Sequence, residues 1–257
     1  MDGKVIIVTG ATSGIGRATA KLCAQMGARV VGAARDAARG ADWEDEVRDS
    51  GGEATFVAAD MAKDADIQRM VNTAVEEFGG LDYAFNNAGW FGGEPALHEY
   101  DDDQWAEVIG VNLTGVYRCM KHEIAAMLAC NEKQPGHRAI VNNASTVGHR
   151  GSDRSGPAYT TAKHGVIGLT RQAALTYVNQ GIRVNAVSPG PSVSAVSEHL
   201  QQQPAEVVQA MLASLNPTGR LVPAEEIART VAFLCSDQAL MINGHAIPLD
   251  GGQLARL

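Results

Sequence analysis

Thr9-Gly10-Ala11-Thr12-Ser13-Gly14-Ile15-Gly16 decides the fold. An apolar run, Val5-Ile6-Ile7-Val8, leads into it. A helical pattern leads out: Ile15, Ala18, Leu22 and Met26 recur at steps of three and four, and Gly27 supplies the stop. Glycines between a strand and a helix permit a tight turn and let the backbone come close to a bound group. The helix that starts there offers unpaired N–H groups and the positive end of its dipole, a combination suited to a pyrophosphate. A glycine-rich turn also serves simple helix-on-sheet packing. Its position between the first strand and the first helix favours the phosphate reading.

Outward from this turn, short apolar runs alternate with helical patterns. The further runs are Val30–Ala34, Thr55–Ala59, Leu81–Phe85, Ala139–Asn142, Arg183–Val187 and Ala246–Leu249. Ile67, Met70, Val71, Ala74, Val75 and Phe78 form one apolar helix face. Longer helical stretches cover about Asp103–Leu128 and Tyr159–Asn179, and another begins near Pro223-Ala224-Glu225-Glu226 with acids in its first turn. Short runs that are apolar on both sides suit strands covered on both faces. The expected fold is therefore α/β, a doubly wound sheet of seven parallel strands with helices on both faces, in one domain spanning 1–257. Pro189–Leu221 carries four prolines and is too long for a plain connection. It is expected to be a functional segment with a short helix near Ala205–Ser214.

Bulk properties exclude some classes. A chain of 257 residues buries a substantial core without disulfides or metals. A net charge of −8 and a pI near 5.3 argue against nucleic acid and anionic membrane as partners, since both need a positive footprint. Cys23, Cys119, Cys130 and Cys235 are scattered and read as reduced thiols, and no metal site is expected. Met1-Asp2-Gly3-Lys4 reads straight into the first strand with no secretory signal, and no apolar run approaches the ~20 residues of a membrane span. A cytoplasmic protein is expected.

Tyr159 and Lys163 stand four apart in a helical stretch and so share a face. Free tyrosine, with a pKa near ~10, is poorly matched to proton transfer near neutrality, and a cation close by favours the phenolate. Ser145, fourteen residues earlier, suits a loop that brings a hydroxyl to a substrate oxygen.

Taken in order, these features resemble the short-chain dehydrogenase/reductase family, in its branch of ~250-residue enzymes. The turn has the form T-G-x-x-x-G-x-G. Asn86-Asn87-Ala88-Gly89 matches N-N-A-G, Asn112 falls in Val111-Asn112-Leu113, Ser145 follows strand five, and Tyr159-Thr160-Thr161-Ala162-Lys163 is the Y-x-x-x-K element. Ser188-Pro189-Gly190 follows strand six and Asp250-Gly251-Gly252 follows the last strand. The resemblance implies hydride transfer between a nicotinamide and a carbonyl or secondary alcohol, with Tyr159 as general acid/base. It implies that Ser145 orients the substrate oxygen. It also implies that Lys163 grips the nicotinamide ribose and that Asn112 holds a relay water. For the cofactor it implies Gly10, Thr12, Ser13, Gly14, Ile15 and Gly16 at the phosphates. Asp60 and Met61 would lie at the adenine, and Asn87, Ala88 and Gly89 along the central stretch. Pro189, Gly190, Ser192 and Ser194 would lie at the carboxamide, the two serines replacing the family's usual aliphatic residue and threonine.

The acidic position at the end of strand two falls on Ala34, and Arg35 follows it. An arginine there suits a 2′-phosphate, so NADP is preferred over NAD, with Asp36 nearby on the other side of the argument. Pocket candidates are Trp90, Phe91, Val147, His149, Arg150, Arg154 and the Ser192–Leu221 segment; His149, Arg150 and Arg154 suit a solvated basic loop or, alternatively, an acidic substrate. Asn143 stands where strand five should be apolar. The partner implied is a small carbonyl or alcohol. The assembly implied is a homotetramer or homodimer, with the Asp103–Leu128 and Tyr159–Asn179 helices paired across one interface and the C-terminal strand at another. Two other readings are a dinucleotide-binding regulator without turnover, and an epimerase or dehydratase. The latter relatives favour T-G-x-x-G-x-x-G, which this turn does not match.

Overall fold

The computed structural model describes residues 1–192 and 204–256. Seven parallel strands form one sheet: β1 (Val5–Thr9), β2 (Arg29–Ala34), β3 (Glu53–Ala58), β4 (Tyr83–Asn86), β5 (Arg138–Asn143), β6 (Ile182–Pro189) and β7 (Ala246–Leu249). Their order is β3-β2-β1-β4-β5-β6-β7. Helices α1 (Gly14–Gln25), α2 (Ala37–Asp49), α3 (Asp64–Phe78), α4 (Asp102–Ile109), α5 (Val116–Lys133), α6 (Pro157–Tyr177), α7 (Ala205–Leu215) and α8 (Ala224–Cys235) connect them.

Alternation along each strand divides the core in two. Ile7, Val31, Ile140 and Val184 pack with Met70, Met127 and Ile167 on one face. Ile6, Val8, Val30, Phe85 and Val141 pack with Trp43, Ile227 and Leu234 on the other. The chain reverses its direction of travel across the sheet at β1, whose Val8 pairs with Gly32 on one side and Phe85 on the other. In open α/β sheets the crevice at such a switch point, beyond the carboxyl ends of the strands, is where ligands bind.

The fold class and all seven strands agree with the sequence pattern, apart from shifts at the strand ends. Two helices differ. The expected continuous helix over Asp103–Leu128 is α4 and α5 separated by a π-helical turn, Gly110–Gly115. Gly115 lets this turn lie against β3's exit loop, since a Cβ there would stand 2.7 Å from the Met61 carbonyl oxygen. The helix expected over Tyr159–Asn179 starts earlier, with Pro157 in its first turn, and ends at Tyr177 in a 3₁₀ turn before Gly181 at φ 76°. The short helix near Ala205–Ser214 is α7. All four cysteines are unpaired. Among the described residues no helix is long and apolar enough to cross a membrane.

Candidate active site

The crevice begins at the phosphate turn. Gly10 takes φ +70°, a left-handed conformation that glycine alone adopts without strain. A Cβ on Gly16 would stand 2.2 Å from the Gly10 carbonyl oxygen and 2.6 Å from Asn87 Nδ2, so the turn closes only on a bare Cα. Ser13 caps α1 in extended conformation without spending its hydroxyl on the helix. The N–H groups of the first turn of α1 thus face the crevice with their dipole. Thr9 ties this turn to the loop after β4: its Oγ1 accepts from the Asn87 and Ala88 N–H groups at 2.9 Å each, and its carbonyl oxygen accepts from Asn87 Nδ2 at 2.9 Å.

Toward the β2 and β3 ends lies a cavity of about 240 Å³, lined by Gly10, Thr12, Ser13, Arg35, Asp60 and Met61 among others. Ala34 and Arg39 line it too. The Asp36 carboxylate is used as the N-cap of α2, accepting from the Ala38 and Arg39 N–H groups at 3.0 and 3.1 Å. That places Arg39 in the helix's first turn beside the cavity. Asp60 combines two tasks: its Oδ1 accepts from the Ala62 N–H at 3.0 Å, a strand-end turn, and its side chain still borders the cavity.

At the other end, four candidate catalytic residues converge. Lys163 is buried on α6, with Nζ 5.4 Å from the centre of the Tyr159 ring and 2.6 Å from the Asn143 carbonyl oxygen, to which it donates. Asn112 is fully buried in the π-helical turn and donates from Nδ2 to the Trp90 and Val108 carbonyl oxygens at 2.9 and 3.0 Å. Its Oδ1 has no donor among the described residues. A Cβ on Gly89 would lie 2.4 Å from that Oδ1 and 3.8 Å from Lys163 Nζ, so Gly89 is the gap between the two side chains. Ser145 and Tyr159 share one cavity.

The electrostatics differ from the sequence expectation. Burial pushes the Tyr159 phenol up to about 12, with only the hydrogen bond to Ser145 pulling it down. Burial pushes Lys163 down to about 8. The cation expected to acidify Tyr159 is thus itself weakened by desolvation and held by a backbone carbonyl. In this arrangement the phenol is a proton donor by default, and a further positive charge close by would favour its phenolate.

The cavity around Tyr159 measures about 660 Å³. Phe91 forms one wall, its ring centre 5.2 Å from that of Tyr159. Val147, Arg150 and Arg154 line it from the loop before α6, Met211, Ser214 and Leu215 from α7, and Gly190 and Ser192 from the end of β6. Two expected pocket residues lie elsewhere. Trp90 borders the cavity at the β2 and β3 ends, and His149 is turned to Ser188, its Nε2 2.8 Å from Oγ. Ser194 lies outside the described residues. A larger cavity of about 720 Å³ opens at the amino ends of the strands, around Lys4, Arg29 and Lys133, and touches none of the residues above.

Two residues line the crevice, and a third contacts residues of the site, without a mark in the motifs. Arg39 is one, legible only once Asp36 is seen to start α2. Gln253 lines the Tyr159 cavity, and its buried Oε1 has no donor among the described residues. Asn143 is the third; its break in the apolar pattern of β5 was the signal. The buried, unpartnered acceptors of Asn112, Asn143 and Gln253, together with the bare turn at Gly10 and Gly16, fit a hydroxyl-rich dinucleotide lying along the strand ends.

A family model described as enoyl-(acyl carrier protein) reductase matches residues 10–253. A cis-4-hydroxycyclohexanecarboxylate dehydrogenase of Sinomonas cyclohexanicum is 43% identical over 253 residues, covering 98% of this chain and 97% of that one. A cyclohexanol dehydrogenase of Acinetobacter sp. (strain SE19) is 40% identical over 255 residues, covering 99% and 96%. Among solved structures, a variant of actinorhodin polyketide ketoreductase with NADPH superposes with a TM-score of 0.88 at 34% identity, covering 97% of each chain.

Proposed function

The chain belongs to the short-chain dehydrogenase/reductase family, and from that premise we propose that it interconverts a ring-borne secondary alcohol and its ketone, with NADP as the preferred cofactor and Tyr159 as the acid/base. The coarse activity is that of a nicotinamide-dependent alcohol dehydrogenase or ketoreductase. When bound, the nicotinamide supplies or accepts the hydride. Tyr159 gives its proton to the substrate oxygen in reduction and takes one in oxidation, and Ser145 orients that oxygen. Lys163 and Asn112, on either side of Gly89, connect the phenol to solvent.

The observation that carries this reading is Tyr159 itself: a phenol beside Ser145 in a substrate-sized cavity, with Lys163 one helical turn behind it. The apolar wall of Phe91, Val147, Met211 and Leu215 suits an alicyclic ring, and the two relatives named above act on cyclohexane derivatives. Arg150 and Arg154 at the same cavity suit a carboxylate on that ring. Ala34, Arg35 and Arg39 support NADP, because two guanidiniums border the cavity at the end of β2, where the carboxylate of Asp36 is engaged as the N-cap of α2. The test is absorbance at 340 nm with NADPH and NADH against cyclohexanone, cyclohexanol and 4-hydroxycyclohexanecarboxylate. Turnover of the ring substrates with NADPH favoured is the expected result. Turnover confined to open-chain substrates defeats the ring assignment, and a strong NADH preference defeats the cofactor assignment.

A homotetramer belongs to the same proposal. Tyr117 on α5 and Leu175 on α6 are 51% and 78% exposed, and Met241 before β7 is 94% exposed, which suits one interface along the helices and another at the C-terminal strand. Light scattering on the eluted protein tests it, with a dimer or monomer mass as the contrary result. The unpaired cysteines suit the cytoplasm.

A further inference from the structure

Asn143 closes β5 on the sheet face of Ala139 and Val141, both buried and apolar. An amide in that row is costly to bury unless its groups are paired. Its backbone oxygen receives Lys163 Nζ at 2.6 Å. Its side chain Nδ2 donates to Asn87 Oδ1 at 2.9 Å, and Asn87 Nδ2 donates in turn to the Thr9 carbonyl oxygen at 2.9 Å. The same Asn87 nitrogen lies 2.7 and 2.6 Å from where Cβ atoms on Gly10 and Gly16 would stand. Asn143 and Asn87 together therefore join the seat of the lysine to the phosphate turn.

The amide's orientation is forced. Asn87 has committed its nitrogen to Thr9 and presents oxygen, so only the nitrogen of Asn143 can face it. Asn143 Oδ1 is left buried and without a donor among the described residues. An unsatisfied buried carbonyl costs as much as a lost hydrogen bond, so a ligand that brings a donor to it is favoured.

We propose that Asn143 is a positioning residue for hydride transfer. Its Nδ2 fixes Asn87 and the phosphate turn relative to Lys163, and its Oδ1 receives a hydrogen bond from a hydroxyl of the nicotinamide-side ribose. This rests on the crevice being the dinucleotide site.

The test compares wild type with Asn143→Leu, similar in shape and apolar, by fluorescence titration with NADP⁺, ADP-ribose 2′-phosphate and 2′,5′-ADP. The first two carry the second ribose and the third does not. Dissociation constants are expected to rise about tenfold, ~1.4 kcal/mol, for the first two and less than twofold for the third. Equal constants for wild type and variant with all three ligands overturn the proposal. So does an equal loss with all three, which would mean general damage to the turn. Asn143→Asp serves where the leucine variant does not fold. Its carboxylate beside Lys163 is expected to raise the lysine's pKa, moving the corresponding limb of the kcat/KM pH profile upward by about one unit; an unmoved profile with unchanged cofactor binding counts against the proposal. If wild type binds neither NADP⁺ nor NAD⁺, the reading of the crevice fails instead.

Discussion

At the β1–β3 end of the crevice the walls are strand ends and tight turns; at the Tyr159 end they are loops drawn from distant parts of the chain. The first end takes Gly10 to Gly16, Arg35, Asp60 and Gly89, all within one turn of β1 to β4. Its spacing is set by backbone contacts too close for a Cβ. The second end takes Phe91, Val147, Arg154, Met211 and Gln253, which share no element. Gly151 in that wall has nothing within 4 Å of its virtual Cβ. One end is a fixed cradle, and the other is a surface on which residues can change without disturbing the fold. That division suits a family with a shared cofactor and varied substrates.

The sharpest way to break the division is at Tyr159. Tyr159→Phe is expected to lower kcat by roughly a thousandfold, within the range for loss of a general acid/base, and to leave cofactor dissociation constants within about twofold. Steady-state rates and fluorescence titration measure both. A comparable loss of cofactor binding would mean that Tyr159 belongs to the cradle rather than to the chemistry.

Next in size is a pair of alanines. Gly16→Ala places a methyl group against a backbone carbonyl, and cofactor affinity is expected to fall by about a hundredfold with a lower Tm. Gly151→Ala meets open space and is expected to change stability by no more than ~0.5 kcal/mol. Similar losses for both substitutions would erase the contrast between cradle and wall.

The same contrast decides what the sequence could disclose. The glycine turn and the Tyr159–Lys163 pair are local requirements, one steric and one set by the 3.6-residue period, so a linear reading finds them. The inward turn of Asn112 depends on a π-helical turn that replaces α-helix between Gly110 and Gly115, and nothing in a periodic apolar pattern marks that change. The raised pKa of Tyr159 depends on burial, which the spacing to Lys163 does not report. Trp90 and Phe91 are adjacent in sequence yet line different cavities. The wall at the Tyr159 end is assembled by contacts across more than forty positions, such as Arg154 Nη1 with Ser214 Oγ at 3.4 Å, and composition cannot announce those.

A smaller effect sharpens the β1–β3 end. Arg35→Ala and Arg39→Ala are each expected to weaken NADPH binding about tenfold and NADH binding less than twofold, because an exposed guanidinium gains from a phosphate and little from a ribose hydroxyl. Titration with both nucleotides reads this directly. Equal effects on the two would show that the arginines shape the cavity without discriminating its ligand.

The smallest effect asks whether the cradle is supported from below. Asn86, which opens the Asn-Asn-Ala-Gly loop, donates from Nδ2 to Glu123 Oε2 at 2.9 Å and to Asn142 Oδ1 at 3.1 Å, and Asn142 donates onward to Thr170 Oγ1 at 2.9 Å. Glu123 Oε1 and Asn86 Oδ1 are both buried and have no donor among the described residues. Burial raises the Glu123 carboxyl to about 8, so at neutral pH the folded protein keeps it protonated. The folded pKa exceeds the unfolded one, so this contribution is complete below about pH 4.5 and is lost as pH rises through about 8. Lys163 acts oppositely at higher pH, since its pKa is depressed from 10.5 to about 8, and stability regained by its neutral form appears between those values. Glu123→Gln keeps the shape and a donor at every pH. Relative to wild type its Tm is expected to be nearly equal at pH 5 and a few degrees higher at pH 8. Parallel Tm curves across that interval would mean that Glu123 does not titrate in the folded protein, and that the loop above it takes its rigidity from Thr9 and the phosphate turn alone.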